Sequence, residues 1–205
     1  LGSAACHAQA VSRRSDRRRR RGRTALRDAV VRLAATRPVG ELSVSEVCWE
    51  AHVSRDSFYC LASSPTDVLA DYLYEDHDVT EVVDAGAPAG GDSLVVAMRL
   101  LVQHVARNVV IYRRNVEPHL PAVVQDALLR RTREVIEAHV RRSPHLVPRV
   151  PADAHGLAHD AFVSYLAFAV LGATESLVRS GGIDDEELSV AVLRAAISPA
   201  WVGEA

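Results

Sequence analysis

Lysine is absent: each of the 24 basic residues is arginine. That bias fits GC-rich coding and says little about mechanism. Aromatics are scarce, with three Phe, five Tyr and two Trp among 205 residues. Turn-bounded runs of alternating apolar and polar residues are missing too, which argues against a sandwich or barrel. The three cysteines, Cys6, Cys48 and Cys60, have no framework spacing. This excludes a disulfide scaffold, and a reduced, cytoplasmic setting is expected. The strongly apolar stretch Ala161–Ala173 is shorter than a bilayer span and contains Ser164, so no membrane partner is expected. There is no glycine-rich phosphate loop, nucleophile elbow, paired cysteine cluster or His-Glu-x-x-His string. Enzymes built on those devices are excluded, and a helical enzyme remains only as a minor alternative.

What is there is an apolar, arginine-rich chain. Hydrophobic residues make up 48% of it, enough for a substantial core. The formal charge of -2 conceals a split. Residues 1–60 hold 12 Arg against six acids, and residues 61–205 hold 12 Arg against 20. A basic head on an acidic body suits a protein that offers one end to a polyanion.

Residues 1–23 read as a disordered basic arm, because the like charges of Arg17–Arg21 and Arg23 repel one another. From Thr24 the pattern turns helical, with Leu26, Ala29, Val30, Leu33 and Ala34 on one stripe until Pro38 and Gly40. Ser43-Val44-Ser45-Glu46 is a capping box. Ser54 caps the next short helix, in which Phe58 and Leu61 point inward, and Ala51-His52-Val53 forms the turn between the two. A longer helix followed by two short ones across a tight turn is a three-helix DNA-binding arrangement. Ser64-Pro65-Thr66-Asp67 opens a connecting helix, and residues 24–84 form this first domain. Residues 85–205 form a helical body, with helices expected over Asp92–Arg113, Pro121–Arg142, Asp153–Ser180 and Asp184–Ile197. The fold class is all-α.

Thr24–Leu69 resembles the DNA-binding domain of the TetR family of bacterial regulators. The resemblance rests on Leu42-Ser43-Val44-Ser45-Glu46-Val47, on Ala51-His52-Val53-Ser54-Arg55-Asp56-Ser57-Phe58-Tyr59, and on Asp67-Val68-Leu69. His52 stands where that family usually has Gly, and Pro65 where a phosphate-binding Lys is usual. The resemblance implies a dimeric regulator, a repressor by expectation, that binds a pseudo-palindromic double-stranded DNA operator and is released by a small-molecule effector. A DNA-binding protein without such an effector is the alternative.

Arg55, Asp56 and Ser57 fall in the first turn of the expected recognition helix and are the candidates for base contact. Tyr59 and Ser43 are candidates for phosphate contact, with His52 and Ser54 beside them. Arg18, Arg20, Arg21 and Arg23 would add largely non-specific contacts. In the body, the resemblance implies a pocket, for which Met98, Leu101, His104, Val105, Tyr112, Phe162, Tyr165 and Phe168 are the candidate lining. Small and apolar residues on the last two helices point to a homodimer interface: Ala169, Gly172, Ala173, Leu188, Val192, Leu193 and Ala196. His155 and His159 have a metal-compatible spacing with Asp153 or Glu117, but two such histidines on an exposed turn do not make a site. No metal and no cofactor is expected.

Overall fold

The computed structural model describes residues 2–77, 93–142 and 155–197, and among these it is built from nine α-helices with no strand. They are α1 Gly2–Ala34, α2 Val44–Glu50, α3 Arg55–Tyr59, α4 Pro65–Asp76, α5 Ser93–Arg107, α6 Val109–Asn115, α7 Ala122–Arg142, α8 His155–Ser180 and α9 Glu186–Ala196. The all-α class is as expected. The chain divides into two compact units, Leu1–Tyr72 and Leu73–Ala205, with the division inside α4. The expected boundary at 84/85 lies outside the described residues.

In the first unit, the apolar stripe of α1 is buried at Leu26, Ala29, Val30 and Ala34, while Leu33 is only half-buried. Val47 and Cys48 of α2, Phe58 of α3 and Leu69 of α4 are buried as well, with α1 packed on α2 and α2 on α3. Arg32 bonds Glu50 at 2.9 Å, and Arg37 pairs with Glu46, so charge as well as packing ties α1 to α2. Residues 2–23, read from sequence as an arm, continue α1. Once Thr24–Ala34 is fixed by packing, adding residues to an existing helix avoids the cost of a new nucleus. The Thr24 hydroxyl donates to the Arg20 carbonyl at 3.1 Å across the junction. Trp49, near the end of α2, is 77% exposed.

The second unit is a helical bundle. Its first expected helix, 92–113, is broken: α5 and α6 meet at Asn108 with a bend of 80°. The Asn108 side chain donates to the His104 carbonyl at 3.0 Å and to Asp76 Oδ2 at 2.8 Å, and this local competition ends the helix. Gly181, at φ 78, closes α8 in the left-handed conformation that glycine takes without a Cβ penalty. Asp185 accepts from the Leu188 N–H at 3.0 Å and caps α9. Glu186 and Glu187 hold Arg99 of α5. Over Gly156–Ser180, α8 is long and apolar enough to cross a membrane, contrary to the count over 161–173 alone. Of its most apolar window 56% is buried, as in the core helix of a bundle.

Acid should destabilise this bundle. Burial, with the charges of Arg131 and Arg107 acting in the same sense, holds His77 down from 6.5 to about 3. Hydrogen bonding from His104 and Asn108 holds Asp76 down to about 2. Between 6.5 and about 3 the unfolded chain binds a proton at residue 77 that the folded chain refuses, so this stability is present above 6.5 and lost on acidification. The urea midpoint by circular dichroism should be lower at about pH 5 than at about pH 7.5, and His77→Phe should reduce that difference. Equal midpoints at the two pH values would contradict the assignment.

Candidate nucleic-acid interface

The site is set by two caps and a turn. Ser43 Oγ accepts from the Glu46 N–H at 3.2 Å, and the Glu46 carboxylate accepts from the Ser43 N–H at 3.0 Å. That backbone bond, reinforced by Arg37 and the Ser43 hydroxyl, holds the Glu46 carboxyl down to about 2. The α2 helix ends at Ala51, and the Val53 N–H reaches back to the Cys48 carbonyl at 3.0 Å. Between them His52 has φ 53, the left-handed region, as expected of a residue standing in a glycine's place. Ser54 Oγ then accepts from the Ser57 N–H at 3.2 Å and starts α3.

Phe58 fixes the rotation of α3. It is fully buried, so at 3.6 residues per turn Arg55, Asp56 and Tyr59 are turned out to solvent, with Ser57 half-buried. The Tyr59 ring stands edge-on to Phe58 at 5.5 Å and is 57% exposed, leaving its hydroxyl outward. Ser43 is exposed, but its hydroxyl donates to Glu46 Oε2 at 2.8 Å, which commits it to the cap.

Across from α3 runs the arginine-rich part of α1. A groove of about 710 Å³ is lined by Arg18, Arg19 and Arg21 on one side and by His52, Ser54 and Ser57 on the other. Arg20 and Arg23 are exposed outside that lining. Sequence reasoning missed Arg19 and Cys60, which are also in the groove wall. Only a helical arm assigns individual arginines to a face, so no pattern signalled them. Gly22 allows the close approach: a Cβ there would stand 3.0 Å from Leu61 Cδ1. The groove thus gathers guanidinium groups, hydroxyls and one carboxylate, Asp56, a set suited to a phosphate backbone and to base edges.

The turn makes a stability prediction. His52→Gly should raise the urea midpoint, by about 0.5–1 kcal/mol, because relief of the left-handed backbone exceeds the chain entropy added by glycine. An unchanged or lower midpoint would show that the His52 side chain contributes packing that offsets its strain.

The body brings together part of the expected ligand set. Two narrow apolar chambers, of about 10 and 30 Å³, share the walls Leu101, Thr132 and Val170. Val105 and Tyr112 line the smaller and Met98 the larger. His104 is buried behind them, with Nδ1 3.0 Å from Asp76 and Nε2 2.8 Å from the Tyr112 hydroxyl. Burial lowers its pKa, so the neutral ring donates from Nδ1 to Asp76 and accepts at Nε2 from Tyr112. Phe162 is core and lines neither chamber.

Tyr165 and Phe168 are corrections: they are 56% and 62% exposed and point away from the chambers. The α8 helix is apolar nearly all round, so periodicity alone does not assign its faces. They belong instead to an outward strip of α8 with Leu157 and Gly172, beside the half-buried Ala169, and Leu188, Val192 and Ala196 of α9 are exposed as well. Ala173 is half-buried at its edge. Leu193, expected on the same face, is 1% exposed and belongs to the unit's own core. Among the described residues no group of three or more His, Cys, Asp or Glu is placed to hold a metal ion. Asp153 and the side chain of His155 lie outside them.

A capped helix-turn-helix beside a basic helix, followed in the chain by a helical bundle, makes up this all-α architecture. The chain is similar in fold to the dihydroxyacetone kinase operon activator DhaS, with a TM-score of 0.56 and 15% identity over 85% of this chain and 93% of that one. At that identity the likeness is one of fold alone. No family model and no curated protein matches the chain.

Proposed function

We propose that the chain is a dimeric one-component transcription regulator that binds a pseudo-palindromic DNA operator and is released from it by a small-molecule effector. The observation that supports this is the outward first turn of α3: Arg55 and Asp56 are exposed, and Asp56 and Ser57 line the same groove as Arg18, Arg19 and Arg21. A major groove admits one helix, and the first residues of such a helix reach base edges. In this reading Arg55 forks onto guanine, Asp56 accepts from cytosine or orients Arg55, and Ser57 supplies an adaptable third contact. Tyr59, Ser54, His52 and the α1 arginines position the head on phosphates, while Ser43 acts through the cap.

The outward strip of α8 and α9 supports the homodimer, since a contiguous apolar face on a helix pair calls for a partner helix pair. Two heads on one dimer read two half-sites, which is how a five-residue helix gains enough sequence. The paired apolar chambers support the effector. They are nearly filled as they stand, so the effector acts by selecting a more open arrangement of the bundle. A DNA-binding protein without an effector would share the head and the strip, and would use the bundle only as core.

Selection from a random duplex pool tests the proposal. The expected result is a site with dyad symmetry and half-site centres about one helical turn or a multiple apart. Recovery of unselected sequences would contradict it.

A further inference from the structure

One side chain in the bundle has no use for its chemistry. His77 follows α4, is 3% exposed, and forms part of the wall of the larger chamber with Leu94, Met98, Leu101 and Thr132. Both of its ring nitrogens are buried without a hydrogen-bond partner. Its neighbour His104 stacks on it at 4.9 Å but directs both nitrogens elsewhere, to Asp76 and Tyr112. A buried imidazole with two idle nitrogens is unfavourable in the empty chamber, and a bound molecule with a matching polar group would remove that penalty.

The rest of the wall gives the class of molecule. Among the described residues the chamber's lining is aliphatic apart from His77 and Thr132, with no charged side chain. The Thr132 hydroxyl donates to the Leu128 carbonyl at 2.9 Å, which leaves its oxygen able to accept. Arg131 lies near His77 but donates to the His77 carbonyl at 2.9 Å and pairs with Glu134 at 2.9 Å, so its charge is already matched. A charged ligand would lose its hydration here and find no counter-charge. We infer that the effector is an uncharged, predominantly hydrophobic molecule carrying one hydroxyl, which His77 recognises by a hydrogen bond to a ring nitrogen. Met98, the flexible wall residue, and the shared walls Leu101 and Val170 let such a molecule extend toward the second chamber. The inference rests on the effector reading of the bundle and adds the recognising residue and the ligand class.

Three probes of one shape test it on the full chain: 4-ethylphenol, ethylbenzene and 4-ethylbenzoate, with affinity read from thermal-shift titration. In the unsubstituted protein 4-ethylphenol should bind about tenfold more tightly than ethylbenzene, and 4-ethylbenzoate most weakly. In His77→Phe, a flat ring without nitrogens, the preference for the phenol should fall to within about threefold while ethylbenzene still binds. On the unsubstituted protein with ¹⁵N-labelled histidine, a ring-nitrogen resonance of His77 should move with 4-ethylphenol and stay in place with ethylbenzene. Ethylbenzene binding with no phenol preference, or a preference that survives in His77→Phe, would overturn the role of His77 and leave the pocket standing. Tightest binding by 4-ethylbenzoate would overturn the uncharged class. Failure of all three to bind would remove the effector pocket together with this inference.

Discussion

Arg55→Ala lowers affinity for the selected operator by about 1–3 kcal/mol and relaxes the preference at one base pair in each half-site. The magnitude follows from the loss of one bidentate arginine–guanine contact. Arg55 is the first residue of α3, exposed, and has no structural task in the cap, which belongs to Ser54 and Ser57. The substitution should therefore leave the melting temperature nearly unchanged. Random DNA discriminates the roles: a phosphate contact would weaken operator and random duplex equally, whereas a base contact weakens the operator far more. Titration of both duplexes at one salt concentration, by anisotropy, gives the comparison.

If the proposed dimer forms through α8 and α9, Gly172→Arg should leave a monomer of 22.2 kDa by light scattering and cost about 10²–10⁴ in affinity for the selected DNA site. Gly172 is exposed on α8, and a Cβ built there meets nothing within 4 Å inside the protomer. The fold of one protomer thus has room for the new side chain. A helix interior also gains about 0.8–1 kcal/mol when glycine is replaced by a good helix former. Loss of the dimer without loss of helicity would locate the interface on this strip. A dimer that survives at twice the protomer mass would place the interface elsewhere.

Where residues signal locally, the sequence was legible. Ser43, Ser54 and Ser64 are caps by type and spacing, and each accepts the expected backbone N–H. Phe58 as the inward residue of α3 was legible for the same reason, and with it the outward set at Arg55, Asp56 and Tyr59. What could not be read depends on partners distant in the chain. The break at Asn108 needs Asp76, 32 residues away, to engage its side chain. The outward turn of Tyr165 and Phe168 is invisible in a helix that is apolar on every side. The extension of α1 through the arginine run depends on a packed segment downstream of it, and composition alone argues for disorder. His77 gave no signal at all, because only the assembled chamber shows that its nitrogens are unmatched.

The central claim is that α3 enters the major groove, and guanine N7 methylation interference on the selected operator addresses it at the atoms concerned. The account predicts that N7 methylation blocks binding at one or more guanines in each half-site, and that in Arg55→Ala one of those positions no longer matters. Binding unaffected by N7 methylation throughout both half-sites would contradict it.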